Sequence, residues 1–202
     1  MVTAPLWPLI ALAIKLESPG PVFFNQRRRG RYQTIINVLK FRTMRVMEDG
    51  NDVRQAVAGD SRVTTVGRFL RRSSLDELPQ LFNVLRGEMA LVGPRPEDPR
   101  IVAEHYTPVQ YETLRVLPGL ASPGSIYNYT HGEKMLDSPQ PETAYVERLL
   151  PLKLALDVVY VRSASPLYDA QIVGRTLLTI ARLSLGQRTF PDPPEMSRAR
   201  QL

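Results

Sequence analysis

Leu78, Leu81, Phe82 and Leu85 recur at i, i+3, i+4 and i+7, the spacing of one helix face, and Gly87 stands where such a helix ends. The adjacent carboxylates Asp76 and Glu77 therefore fall at a helix N-terminus. Two caps suit the run: Ser74 with Glu77 forms a capping box, while Asp76 as cap puts Pro79 among positions whose N–H has no helical partner. The second is favoured, because with Ser74 as cap Pro79 removes a helical hydrogen bond. Carboxylates in a first turn complement the helix dipole and by themselves need no chemistry. Their neighbours argue for more. Arg68, Arg71 and Arg72 precede the pair and Gly93-Pro94-Arg95-Pro96-Glu97 follows it, so the acids are flanked by groups that bind anionic oxygens. A phosphate site containing carboxylates usually also contains a metal ion, since like charges otherwise repel.

The chain has 202 residues, enough for one domain with a core, and a net charge of +6 that points to anionic partners. With no cysteine, disulfides and thiolate metal sites are excluded, and His105 and His131 are too far apart in sequence to suggest a zinc site. A hard, oxygen-bound metal is the one that fits. Nucleic acid is not an expected partner: no recognition motif appears, and the 7% of aromatic residues are not arranged as stacking platforms. No cleavable signal is expected at the start.

Ala4 to Leu16 is apolar and carries Pro5 and Pro8; it is shorter than the roughly 20 residues that cross a bilayer, and suits a core helix or an interfacial or re-entrant segment. After the turn Ser18-Pro19-Gly20-Pro21, Val22 to Phe24 and Ile35 to Leu39 read as a hairpin whose loop holds Arg27, Arg28, Arg29 and Arg31. That loop is either a solvated basic turn or an anchor for anionic headgroups. Lys40 and Arg42 have strand spacing and share a face. Met47 to Asp60 reads as a surface loop, Thr64 to Arg72 as a helix bringing Arg68, Arg71 and Arg72 toward the carboxylates, and 101–117 as a helix stopped by Pro118-Gly119. His131 and Glu133 read as part of a polar turn that either touches substrate or is merely exposed, and Asp157 as a structural ion-pair partner in preference to a site residue. Tyr168 to Leu185 has the pattern of a basic amphipathic helix, suited to a membrane surface or to domain packing.

The gapless run from Ser74 through Leu75-Asp76-Glu77-Leu78-Pro79 to Gly93-Pro94-Arg95-Pro96, with Lys40-Phe41-Arg42-Thr43-Met44 before it, closely resembles the signature of the bacterial sugar transferases, the monotopic polyprenyl-phosphate phosphoglycosyltransferases. The resemblance implies a mostly helical α+β domain, membrane-associated, with a short β-hairpin and amphipathic interfacial helices, at the cytoplasmic face of the bacterial inner membrane. It aligns Ala4-Pro5 with the break of a re-entrant helix, implying that the N-terminal re-entrant helix is truncated. Residues 1–17 are then the remnant of that helix, 18–186 the catalytic domain and 187–202 a loose tail. The implied activity is transfer of a sugar 1-phosphate from a UDP-sugar to polyprenyl (undecaprenyl) phosphate, releasing UMP. In it Asp76 is the nucleophile forming a covalent sugar-phosphate intermediate, Glu77 holds Mg²⁺, and Lys40, Arg71 and Arg95 bind substrate phosphate. The alternative for the same fold is a non-catalytic module that binds anionic lipid or a partner protein. One segment, Leu120 to Glu133, departs from the family pattern: Leu117 stands at an arginine position before it, and Ser122-Pro123-Gly124-Ser125-Ile126-Tyr127 follows, implying a different sugar preference.

Overall fold

A computed structural model describes residues 6–46 and 60–202. The Ala4-Pro5 alignment and all of the Met47 to Asp60 loop except Asp60 lie outside them. The chain folds as a mostly helical α+β domain, and among the described residues no helix is long and apolar enough to cross a membrane.

Helix α1 (Leu6–Glu17) leads through a turn into an antiparallel hairpin of β1 (Phe23–Arg29) and β2 (Ile35–Phe41), with Phe23 opposite Phe41 and Arg29 opposite Ile35. The hairpin is longer than its sequence pattern suggests. Arg27, Arg28 and Arg29 belong to β1 instead of the loop, and only Arg31 lies in the connection. Alternation in β2 buries Ile36 and Val38 on one face, Phe41 is buried on the other against α1, and Asn83 reaches across to accept from the Leu39 N–H at 3.0 Å.

Helix α2 (Thr65–Arg72) is capped by Thr64, whose hydroxyl accepts from the Gly67 N–H at 2.9 Å. A single 3-10 turn, Leu75–Glu77, precedes α3 (Gln80–Leu85). Strand β3 (Ala90–Val92) pairs in parallel with β4 (Gly119–Ala121). Between them lie α4 (Pro99–His105) and a 3-10 segment, Gln110–Arg115, so the single helix expected over 101–117 is interrupted where Pro108 has no N–H to give. The C-terminal half is helical: α5 (Pro123–Met135), α6 (Pro141–Ala144), a π turn Tyr145–Leu149 running into α7 (Leu150–Ser163), then α8 (Pro166–Ser184) and α9 (Met196–Ala199). The largest core cluster packs Tyr127, Tyr145, Leu149, Leu150, Leu154 and Leu156 together with Met196 and Ala199. Within 187–202, the stretch expected to be loose, residues 193–199 dock on the domain: Met196 and Ala199 enter that cluster, and Glu195 is buried and accepts from Arg175 at 2.5 Å and Tyr168 at 2.6 Å.

The apolar faces of several helices point outward. Leu9, Leu12 and Leu16 of α1, Phe69 of α2, Leu85 of α3 and Leu177 and Leu178 of α8 are each at least half exposed. Leu9 and Phe69 border one shallow apolar hollow between α1 and α2.

Candidate active site

Local chemistry places the two carboxylates. Ser74 has φ of 55°, a left-handed backbone that costs a non-glycine residue about 1 kcal/mol and reverses the chain sharply after α2. The 3-10 turn closes with the Leu78 N–H on the Leu75 carbonyl at 3.2 Å. Pro79, lacking an N–H, cannot extend this ladder, and α-helical bonding resumes only at Gln80. Neither expected cap forms: the Ser74 side chain makes no capping bond, and Asp76 lies inside the turn. Nor does α3 present the buried face expected of it. Gln80 and Asn83 are buried while Phe82 and Leu85 are exposed, because Asn83 is spent on the hairpin, bonding Leu39 N–H, Asn37 carbonyl and Glu88.

Successive residues of a 3-10 turn diverge by about a third of a turn, so Asp76 and Glu77 face different neighbours. Glu77, with a side chain 13% exposed, is held on both oxygens. Lys40 Nζ donates to Oε1 at 2.9 Å, Arg95 donates from Nη1 to Oε2 at 3.1 Å and from Nη2 to Oε1, and the Tyr129 hydroxyl donates to Oε2 at 3.0 Å. Arg95 also donates to the Tyr129 oxygen at 3.3 Å and lies 5.9 Å from the centre of its ring. Although burial opposes ionisation of Glu77, the charges of Arg95 and Lys40 outweigh it and hold the carboxyl far below its usual range.

Asp76 is 9% exposed and accepts no hydrogen bond among the described residues. Burial first, and then the neighbouring charge of Glu77, push its carboxyl from the ordinary 3.8 up to about 6, against the pull of Lys40, Arg71 and Arg95. Arg71 reaches this side from the last turn of α2, with its Nε donating to Thr43 Oγ1 at 2.8 Å. Of the three arginines expected near the pair, only Arg71 arrives. Arg68 turns back to the Val63 carbonyl and Arg72 to that of Ser184, both exposed. Three cations, Lys40, Arg71 and Arg95, thus surround two carboxylates, leaving one net positive charge for an anionic ligand. The short α3 and its 3-10 lead-in supply little helix dipole, so these side chains carry the charge complementarity.

The loop bearing Arg95 is fixed from behind by a buried network. Glu97 is 5% exposed and accepts from Lys153 Nζ at 2.6 Å, from the Tyr145 hydroxyl and, at 3.4 Å, from Arg28. Lys153 and Arg28 hold the Glu97 carboxyl at about 2, despite its burial. Asp157, fully buried, accepts from the Gly124 N–H at 2.9 Å and so anchors the start of α5, the helix that carries Tyr129; its own carboxyl is pushed up to about 6 by burial. It is not the ion-pair partner the sequence suggested.

Tyr129, Glu97 and Lys153 were not singled out in the sequence. Tyr129 sits in the segment that departs from the family pattern, which was the one signal available for it. His131 does not join the site: it lies within α5, not in a turn, stacks on Tyr127 and faces Asp192 at 3.7 Å. The Glu133 side chain lies outside the described residues.

Among the described residues no three His, Cys, Asp or Glu side chains converge as a preformed metal cage. Magnesium characteristically takes one or two carboxylates and completes its shell with water and substrate phosphate. Asp76 and Glu77 are the carboxylates that would hold such an ion, and Glu77 would give up a contact to Lys40 or Arg95 to do so.

The family model described as "Bacterial sugar transferase" matches residues 1–183. A UDP-glucose:undecaprenyl-phosphate glucose-1-phosphate transferase of Caulobacter vibrioides (strain ATCC 19089 / CIP 103742 / CB 15) is 43% identical over 177 residues, covering 86% of this chain and 62% of that protein. One of the same name from Escherichia coli (strain K12) is 40% identical over 179 residues, covering 88% and 36%. "Exopolysaccharide production protein PSS" of Rhizobium leguminosarum bv. phaseoli is 36% identical over 185 residues, covering 89% and 87%. The chain thus spans about three fifths of the Caulobacter protein's length and about a third of the Escherichia coli protein's. With a family match over nine tenths of its length, this chain belongs to the bacterial sugar transferase family.

Proposed function

We propose that this protein transfers a sugar 1-phosphate from a UDP-sugar to undecaprenyl phosphate, with Asp76 as nucleophile and release of UMP. The observation that carries the reading is the buried, unencumbered carboxylate of Asp76 beside a second carboxylate saturated by cations. A carboxylate attacks phosphorus when cations neutralise the oxygens around it. In the first half, an Asp76 oxygen bonds to the sugar-bearing phosphorus as the anhydride bond breaks and UMP leaves with the electron pair. In the second, an oxygen of undecaprenyl phosphate attacks the same phosphorus and Asp76 departs as a carboxylate. Arg71 and Arg95 bind the non-bridging oxygens, while Tyr129 and Lys40 keep Glu77 and Arg95 in place. Glu77, with Asp76 close by, would hold magnesium, which when bound would supply Lewis-acid neutralisation of the diphosphate. The pull of Lys40, Arg71 and Arg95 limits how far burial raises the Asp76 carboxyl, which keeps it ionised at neutral pH.

The exposed leucines and phenylalanines of α1, α2, α3 and α8 suit a lipid surface, where the acceptor's phosphate is presented. The proposed location is the cytoplasmic face of the inner membrane. UMP release from a panel of UDP-sugars, with magnesium and undecaprenyl phosphate in detergent, tests the reading. Metal-dependent turnover that vanishes in Asp76→Asn supports it; an inactive parent that still sediments with anionic vesicles would replace it with a lipid-binding module.

A further inference from the structure

Arg42 is 6% exposed, yet no carboxylate among the described residues pairs with it. Its guanidinium is instead clasped by main-chain oxygens at the end of α1: Nη2 donates to Ser18 O at 2.8 Å and to Ile14 O at 3.5 Å, and Nη1 donates to Pro19 O. Ile14 O already accepts the Ser18 N–H at 3.2 Å, so the guanidinium chiefly serves the Ser18 and Pro19 carbonyls just past the helix, where its charge also answers the negative end of α1. The turn is shaped around it. Gly20 has φ of 117°, and a Cβ at that position would collide with the guanidinium.

Two further ties run the other way. Glu17, the last residue of α1, accepts from the first N–H groups of α2, Thr65 at 2.5 Å and Val66 at 2.7 Å. Trp7 packs edge-on against Phe41 of β2 and Phe82 of α3, with ring centres 5.4 and 5.2 Å apart. Arg42 itself stands between Lys40, which bonds Glu77, and Thr43, which receives Arg71. That short stretch of chain therefore meets the site on one side and the end of α1 on the other.

We propose that Arg42 is a positioning residue: by clasping the Ser18 and Pro19 carbonyls that immediately follow α1, and more loosely that of Ile14 within it, Arg42 couples the seating of that helix to the placement of Lys40 and Arg71 around Asp76 and Glu77. Because α1 exposes Leu9, Leu12 and Leu16, a lipid surface that grips this helix also sets the geometry of the site. The kinetic part of the test rests on the transferase reading; the optical part does not.

Trp7 is the only tryptophan, so intrinsic fluorescence reports the seating of α1 directly. The full chain, Arg42→Met and Arg42→Lys are compared in detergent and on phosphatidylglycerol vesicles. For Arg42→Met, Trp7 emission moves to the red, acrylamide quenching rises, and kcat falls on the order of 10- to 100-fold while KM for UDP-glucose stays within about threefold. Arg42→Lys, which keeps the charge but not the fork, restores both readouts in part. Unchanged Trp7 quenching in a folded Arg42→Met protein overturns the proposal, as does loss of kcat with Trp7 undisturbed. If Arg42→Met shows no cooperative melting, Glu17→Gln decides: smaller shifts of the same sign in both readouts support the coupling, and their absence overturns it. A parent without turnover refutes the transferase reading alone, and the Trp7 response still decides whether Arg42 seats α1.

Discussion

Replacing Asp76 by Asn is expected to abolish turnover and at the same time stabilise the fold. Burial and the charge of Glu77 raise the Asp76 carboxyl from 3.8 to about 6, so between those values the native state binds more protons than the unfolded chain. Stability falls as pH rises through this window, and the cost of the ionised group is complete above about pH 6. A shift of roughly two units corresponds to about 3 kcal/mol at pH 8. Asn keeps the shape and carries no charge, so the variant recovers that amount, equivalent to a rise in melting temperature of roughly 5–10 °C for a chain of this length. About half of the gain remains at pH 5 and little at pH 4, where the parent's carboxyl is itself protonated. Thermal denaturation of both proteins in detergent at pH 4, 5, 6 and 8, beside UMP release, measures it. A variant less stable than the parent at pH 8, or a gain unchanged from pH 4 to 8, refutes the reasoning.

The same group sets a rate profile: kcat/KM for the UDP-sugar is expected to lose activity below pH 6, as Asp76 takes up the proton that blocks attack, measured across pH 5 to 9. Tyr129→Phe keeps the ring under Arg95 but removes the donor to Glu77; kcat/KM falls on the order of tenfold with the melting temperature nearly unchanged. Lys153→Met leaves Glu97 buried with its nearest cation gone, a loss of about 3–5 kcal/mol in urea unfolding, and adding Glu97→Gln recovers much of it.

The dyad, its arginine-bearing loop and the lysine of β2 were legible because each sits in a contiguous motif whose residue types state their chemistry. What the sequence hid were relations across long separations. Tyr129 is 52 residues from the Glu77 it binds, and Lys153 is 56 from Glu97. Periodicity found α3 but inverted its faces, since a helix exposing Leu85 and burying Asn83 reads in the usual way only if its apolar side meets protein. Asn83 is buried because it completes the hydrogen bonding of β2, a demand no local pattern reveals. The apolar run of the first strand stops at Phe24, so its pattern leaves the arginines of β1 in a loop. In the structure Arg28 pairs with Glu97, and Arg29 donates its N–H to the Glu97 carbonyl at 2.9 Å. The C-terminal residues looked loose by composition, yet Glu195 satisfies Arg175 and Tyr168, and Met196 enters the main core.

The covalent role of Asp76 is the central claim, and intact-protein mass spectrometry tests it most directly. The full chain is incubated with UDP-glucose and magnesium in the absence of undecaprenyl phosphate, quenched in acid, and mapped by peptide. A hexose-phosphate adduct on the peptide containing Asp76, absent from Asp76→Asn and discharged when undecaprenyl phosphate is added, is the expected result. An active parent that never carries the adduct and releases UMP only when the acceptor is present would contradict it, and would require direct transfer between the two substrates.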